Sequence, residues 1–473
     1  MDETLAFASA SELRQLIAGK EVSPVEVTEL YLRRIERLDP RYNAFLTLAQ
    51  DDALRSAKAA EEAVVQGDTL GPLHGLPISI KDLEMTRGLR TTGGSLVYQD
   101  RVPEVDSIVA ERVRKAGAII LGKTNTSEFG ILGAVDNRLG DHGRNPWNTE
   151  RTTGGSSGGA GAAVAAGLCA LGTGSDGGGS VRIPCSYCGI YGIKPTQGRI
   201  PRYSGMPAPP VANQFSQSGP MTRTVRDSAL LLQVLAGYDP RDLTSLRDTP
   251  DDFVAALDKG IEGLRIAWSS DYGYAAVDPE VVEVTSKAAL VFEELGCSVD
   301  DTDLALDDVP FEPFWTLFTA NNYVTYGQLL REHADQLTRY TREALENGSK
   351  VTGAEYGKAL GYLDHLKSQF TDLFESYDLL LSPTVATTAF PVGEFPGQIG
   401  GREVPSLWGF SPFTHITNMI GHAAASIPCG FSQDGMPIGL HIVGRRGDEA
   451  TVIAASAAFE RARPWIDRRP PGS

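Results

Sequence analysis

The sequence is short of positive charge. Its 473 residues include 43 Lys or Arg against 60 Asp or Glu, a formal charge of −17. A nucleic-acid binder carries a basic stripe or patch, so no nucleic-acid partner is expected, and the acidity reads as a solubility feature. Cysteine is sparse and odd in number: Cys169, Cys185, Cys188, Cys297 and Cys429. Such a set is no disulfide framework, and a chain this long buries enough core to need none. The seven histidines are scattered without H-E-x-x-H or similar spacing. Cys185-x-x-Cys188 has no second pair to complete a zinc site. No metal and no cofactor is therefore expected. No apolar run is long enough to span a bilayer, and Met1-Asp2-Glu3-Thr4 lacks the basic and apolar regions of a leader. The expected location is cytoplasmic, with no membrane partner.

What is present is an alternation of helical and extended patterns. Helices are predicted over 9–40, where Ser23-Pro24-Val25-Glu26 forms a capping box with proline at the first helical position, and over 51–66. Leu76-Pro77-Ile78-Ser79-Ile80 is a short apolar strand ending at Lys81. A helix at 106–116 leads to a strand at 118–121, and a helix at 160–168 to a strand at 169–173. Beyond a Pro-rich loop at 205–212 come a helix at 225–237, a strand at 263–269, a helix at 279–295 and a strand at 297–300. Helices fill about 310–375, strands follow at 378–382 and 437–443, and a last helix covers 449–462. Strands alternating with helices predict an α/β fold with a mostly parallel or mixed sheet. No repeat and no long polar linker divides the chain, so one domain, 1–473, is expected.

Three local patterns match familiar motifs without their context. Gly117 to Thr124 fits G-x4-G-K-[ST], but its variable positions are Ala-Ile-Ile-Leu, a buried strand rather than an open phosphate loop. Gly172 to Gly177 fits G-x-G-x-x-G, but no acidic residue follows at the distance that would hold a ribose. Gly154-Gly155-Ser156-Ser157-Gly158 fits a nucleophile elbow, which needs a strand directly before it. The preceding Arg144-Asn145-Pro146-Trp147-Asn148-Thr149 is turn chemistry.

Between 75 and 205 the chain carries a lysine at a strand end, the run Gly154 to Gly159 and the run Ser175 to Ser180. These suffice for a hydrolase without histidine. A serine nucleophile needs a base, and lysine serves once burial lowers its pKa from about 10.4 toward neutrality. A tetrahedral intermediate needs N–H donors aimed at its oxyanion. Successive glycines let a backbone turn several N–H groups inward, as Gly177-Gly178-Gly179 before Ser180 would.

These residues resemble the amidase signature hydrolases. The similarity begins at Gly75-Leu76-Pro77-Ile78-Ser79-Ile80-Lys81-Asp82. It includes Gly122 to Asn125 with Glu128-Phe129, Thr153 to Gly159, Asp176 to Arg182, Gly219 to Thr224, Ser382-Pro383-Thr384 and Gly435 to Leu440. It implies a central mixed sheet covered by helices on both faces, with N-terminal helices at 9–66, a catalytic core at 75–205 and a helical substrate cover at about 310–375. It implies a triad of Lys81, Ser156 in a cis peptide and the nucleophile Ser180. It also implies an oxyanion hole from the N–H groups of Gly177, Gly178, Gly179 and Ser180, with Ser157, Asp176 and Arg182 in support. Thr153, Ser175 and Gly177 depart from the family pattern, and the first two are expected not to touch the triad.

The resemblance further implies cleavage of an amide, carbamate or ester of a small, largely apolar substrate, by a monomer or homodimer. Gly130 and Ile131, the loop 201–217 and the 310–370 cover are the expected substrate contacts. The rival is the glutamine-hydrolysing component of a tRNA amidotransferase, which requires an arginine for the glutamine carboxylate. Leu363 stands near that position, with no arginine beside it.

Overall fold

Eleven strands join one sheet among the described residues of a computed structural model, which are 3–203, 215–302, 304–306 and 310–473. Most of the expected Pro-rich rim, at 204–214, lies outside them. The spatial order is Phe45–Leu48, Ile119–Thr124, Pro77–Lys81, Leu171–Asp176, Gln217–Thr222, Tyr191–Lys194, Ala424–Phe431, Pro437–Gly444, Leu379–Pro383, Arg265–Trp268 and Ser298–Asp301. Pro77–Lys81 runs parallel to both neighbours, whereas Leu171–Asp176 and Gln217–Thr222 are antiparallel, so the sheet is mixed.

Both faces of this sheet are covered. Successive strand side chains point to opposite faces, yet all five residues of Pro77–Lys81 and all eight of Pro437–Gly444 are buried. Leu379 and Leu381 enter one apolar core with the N-terminal helices, while Leu380 between them enters a second core with Phe314, Phe318 and Phe370 of the helical cover. The cover comprises Phe311–Glu332, Arg339–Gly348 and Gly353–Ser376.

Local signals set the helix ends. The Ser23 hydroxyl accepts from the Glu26 N–H at 3.1 Å and the Glu26 carboxylate accepts from the Ser23 N–H at 2.9 Å, which starts Pro24–Tyr42. Gln50–Gln66 stops at Gly67, which takes a φ of 78°, a conformation that costs glycine little. Strands Phe45–Leu48, Tyr191–Lys194, Gln217–Thr222 and Ala424–Phe431, and helices Arg182–Cys188 and Thr414–Ile420, add to the sequence expectation. Gly219 and Pro220 argue against a strand locally. That segment is extended because it is wedged between Leu171–Asp176 and Tyr191–Lys194.

Candidate active site

Lys81 ends a central strand and is wholly buried. Its Nζ lies 2.7 Å from Ser156 Oγ and 3.1 Å from both the carbonyl and the hydroxyl oxygen of Ser175. Burial lowers its pKa from 10.5 to about 7, against the opposing pull of the Asp176 and Glu84 charges. A neutral amine has two N–H donors and one lone pair. The two Ser175 oxygens take the donors, which leaves the lone pair for the Ser156 hydroxyl. The expectation that Ser175 stays clear of the triad is thus corrected: the register of Leu171–Asp176 against Pro77–Lys81 carries it past the lysine.

Ser156 precedes the buried helix Gly158–Ala165, and the Gly155–Ser156 peptide is cis. Gly155 lies against Ala134, where an added Cβ would stand 2.6 Å from backbone. The Ser157 N–H donates to the Ser180 carbonyl at 3.2 Å, and its hydroxyl bridges the Ser175 N–H and carbonyl at 3.2 and 3.3 Å. The backbones carrying Ser156, Ser175 and Ser180 are therefore tied together. The Ser180 hydroxyl, nearly buried, makes no hydrogen bond among the described residues, to Ser156 or otherwise. The Lys81–Ser156 half of the expected relay is formed at rest, and the Ser156–Ser180 half is not.

Asp176 and Arg182 clamp the loop between them. Burial would raise the Asp176 carboxyl, but the paired Arg182 guanidinium outweighs it and holds the group well below the usual carboxylate range. One carboxylate oxygen accepts from the Gly179 N–H at 2.7 Å and the other from the Val181 N–H at 3.1 Å. The Gly179 N–H is thereby taken, which removes it from the four expected oxyanion donors and leaves Gly177, Gly178 and Ser180. Gly179 takes a φ of 129°, and an added Cβ would stand 2.3 Å from the Thr414 hydroxyl, so no other residue fits there.

Helix Thr414–Ile420 closes the site from behind. The Thr414 hydroxyl donates to the Gly178 carbonyl at 2.7 Å, and Asn418 Nδ2 donates to the Asp176 carbonyl and carboxylate at 2.8 and 2.9 Å. Sequence reasoning missed this helix, because seven buried residues are too short a run for the helical spacing of Ile416, Met419 and Ile420 to stand out.

Gly130, one of the two expected substrate contacts, lies beside Ser156. A Cβ on Gly130 would stand 3.3 Å from Ser156 Oγ. Ile131 lines a cavity of about 170 Å³ with Trp315 and Trp408. A larger cavity of about 530 Å³, with Arg138, Arg339 and Arg342 among its walls, shares Leu132, Tyr340 and Leu407 with it. Phe314 packs over the glycine loop 177–179, 2.9 Å from where a Gly178 Cβ would be. Glu128 hooks the cover to the Gly130 loop: its carboxylate accepts from the Thr338 N–H and hydroxyl at 2.7 Å each and from the Ser95 hydroxyl at 2.6 Å. Leu363 is buried in the cover core and lines neither cavity.

The motif-like patterns resolve structurally. Lys123 donates to Thr86 Oγ1 at 2.7 Å and to the Glu84 carbonyl from within strand Ile119–Thr124. Gly172 to Asp176 is strand. A strand, Asn148–Thr152, does run just before Ser156, contrary to expectation, but it pairs with Arg144–Asn145 outside the main sheet. Cys185 and Cys188 are buried thiols pushed well up by burial. Among the described residues no group of three or more His, Cys, Asp or Glu is placed to hold a metal, and no helix is long and apolar enough to cross a membrane.

Comparison with known proteins gives the class. The family model described as Amidase matches residues 26–453. The Acylamidase of Rhodococcus erythropolis is 37% identical over 478 residues, covering 100% of this chain and 99% of that protein. The A-type subunit of the Glutamyl-tRNA(Gln) amidotransferase of Moorella thermoacetica is 38% identical over 491 residues, covering 98% of this chain and 99% of that one. A solved bacterial aryl acylamidase of the amidase signature enzymes superposes with a TM-score of 0.92 at 34% identity, over 97% of each chain. These similarities define an amidohydrolase on an α/β fold. The chain belongs to the amidase signature family.

Proposed function

We propose that this is a stand-alone cytoplasmic hydrolase that cleaves an amide, anilide, carbamate or ester bond of a small, largely apolar substrate through an acyl-enzyme on Ser180. The observation that carries this reading is the 2.7 Å contact between a buried lysine of pKa about 7 and the Ser156 hydroxyl. Neutral Lys81 takes the Ser156 proton as Ser156 takes that of Ser180. Ser180 Oγ attacks the carbonyl carbon, and the N–H groups of Gly177, Gly178 and Ser180 receive the oxyanion. The proton returns through Ser156 to the leaving nitrogen as the C–N bond breaks, or, in an ester, to the leaving oxygen as the C–O bond breaks. Water then repeats the attack on the acyl-enzyme. The cavity of Ile131, Trp315 and Trp408 is lined by no member of the triad, and it adjoins the Ser156 site through Gly130, so it would take an apolar part of the substrate away from the bond that is cut, within one domain whose helical cover lies over the catalytic core.

Ser175→Ala is expected to lower kcat about fivefold with KM unchanged, the rate equivalent of one hydrogen bond of about 1 kcal/mol. Steady-state kinetics on an aryl amide decide it, and an unaltered kcat would remove Ser175 from the lysine's support.

The second reading is the glutamine-hydrolysing component of an amidotransferase. It is favoured by the equal similarity to such proteins and by the arginines of the larger cavity. It is opposed by Leu363, because a carboxylate bound without a charge partner is costly. An aryl amide, an aryl carbamate, a p-nitrophenyl ester and glutamine, each with wild type and Ser180→Ala, separate the two. Serine-dependent cleavage of the amide or carbamate is the expected result. Glutaminase activity, or silence until the other amidotransferase components are added, sinks the stand-alone reading.

A further inference from the structure

The clamp on the oxyanion loop continues past Arg182 into the sheet. A guanidinium has five N–H donors in one plane, and each of them has an acceptor here. Nε donates to Asp176 Oδ2 at 2.9 Å, and Nη2 to Asp176 Oδ1 at 2.9 Å and Asn418 Oδ1 at 2.6 Å. Nη1 donates to Thr417 Oγ1 at 2.5 Å and faces His441 Nε2 at 3.0 Å. An arginine can only donate, so His441 must accept at Nε2 and carry its proton on Nδ1. That proton faces Ser382 Oγ at 3.4 Å. Ser382 donates its own proton to the Pro383 carbonyl at 3.1 Å, so it accepts from the Tyr272 hydroxyl 3.2 Å away. One assignment of protons satisfies the whole chain.

The groups concerned are dry and rigidly mounted. Arg182, His441, Ser382 and Tyr272 are fully buried. His441 stands opposite Ser382 on one neighbouring strand and Ser426 on the other, in the middle of the sheet. Burial, and then the Arg182 charge, push the imidazole well below its ordinary pKa and keep it a neutral acceptor. The loop it serves has three successive glycines and little intrinsic preference for one shape.

We infer that His441 is a positioning residue for the oxyanion loop: held by Ser382 and Tyr272, it fixes the plane of the Arg182 guanidinium, and through Asp176 the turn that aims the Gly178 and Ser180 N–H groups. This rests on Ser180 being the nucleophile. Without the acceptor at Nη1, one buried donor is orphaned and the fork is free to tilt toward its remaining partners. The Asp176 carboxylate then tilts with it, and so do the Gly179 and Val181 N–H groups bound to that carboxylate. Small misplacements at such a site are costly to rate and leave ground-state binding intact.

The test compares His441→Leu with His441→Gln, whose amide oxygen retains an acceptor. For each, kcat and KM are measured on the best substrate of the panel, with the affinity for phenylboronic acid, whose adduct on Ser180 places an oxygen in the oxyanion hole. His441→Leu is expected to lose about tenfold or more in kcat, less than removing an oxyanion donor outright, with KM within about twofold. Boronic acid affinity falls in the same ratio, and His441→Gln recovers most of both. A folded His441→Leu with wild-type kcat and boronate affinity overturns the inference, even if it melts earlier. Should that variant not fold, Ser382→Ala carries the test: it unlocks the imidazole, and is expected to lose about threefold in kcat and boronate affinity together. Unchanged values in Ser382→Ala overturn the inference equally. If wild type binds no boronic acid and Ser180→Ala remains active, the nucleophile assignment itself fails, a separate outcome.

Discussion

Ser180→Ala is expected to lower kcat on an aryl amide by roughly 10⁵–10⁶-fold, as loss of a nucleophile does in a serine hydrolase. Stability is expected to stay within about 0.5 kcal/mol of wild type. The loss of rate follows from the nucleophile role proposed for Ser180, and the unchanged stability from its contacts. The Ser180 hydroxyl has no hydrogen-bond partner at rest among the described residues, so its removal orphans no buried group. What holds the loop is the Asp176 carboxylate and the Ser180 carbonyl, and both survive the substitution. A turnover assay sensitive to the last trace of product, run beside a thermal melt, reads both quantities. Activity within tenfold of wild type would remove Ser180 from the nucleophile's role. Lost activity with a collapsed melt would mean that the hydroxyl is structural.

Lys81→Met is the second large effect, with an expected loss of about 10⁴–10⁶-fold in kcat, in the range of removing a member of a catalytic triad. The pH dependence follows from the same lysine. Its folded-state pKa is lowered to about 7, and only the neutral form has a lone pair for the Ser156 proton. Activity therefore rises with pH through about 7 and levels above it, and falls about tenfold per unit below. Lys81→Met should lack that limb. The sign for stability is also fixed. A lysine whose folded pKa lies below its unfolded value of about 10.4 binds fewer protons folded than unfolded in between, so it weakens the fold as pH falls from 10.4 toward 7. An uncharged methionine escapes that cost, and the variant should melt no earlier than wild type at pH 7. A flat pH–rate profile in wild type between pH 5 and 9 would show that Lys81 is not the base.

Much of the site was legible because its parts are local. Lys81 ends a strand that announces itself by apolar residues bounded by glycine and charge. The serines sit in glycine runs, where the residue types alone limit what the backbone can do. The helix start at Ser23 is a capping box, and the structure forms it. The strands Tyr191–Lys194 and Gln217–Thr222 were not legible. Their conformation comes from the neighbours that pair with them, which overrules a short segment's own preference.

The sequence by itself determined the family and the α/β alternation and singled out the candidate lysine and serines, because spacing and residue type within a short stretch limit the chemistry available there. Only the tertiary structure decided what those residues meet. Ser175 became a lysine partner through strand register. Gly179 was withdrawn from the oxyanion donors because the Asp176 carboxylate takes its N–H first. Thr417, Asn418 and His441 reach Arg182 from 235 to 259 residues away, and Trp315 meets Trp408 across the cover. Each of these depends on chain segments brought together by burying apolar surface, a force without direction that leaves no local mark.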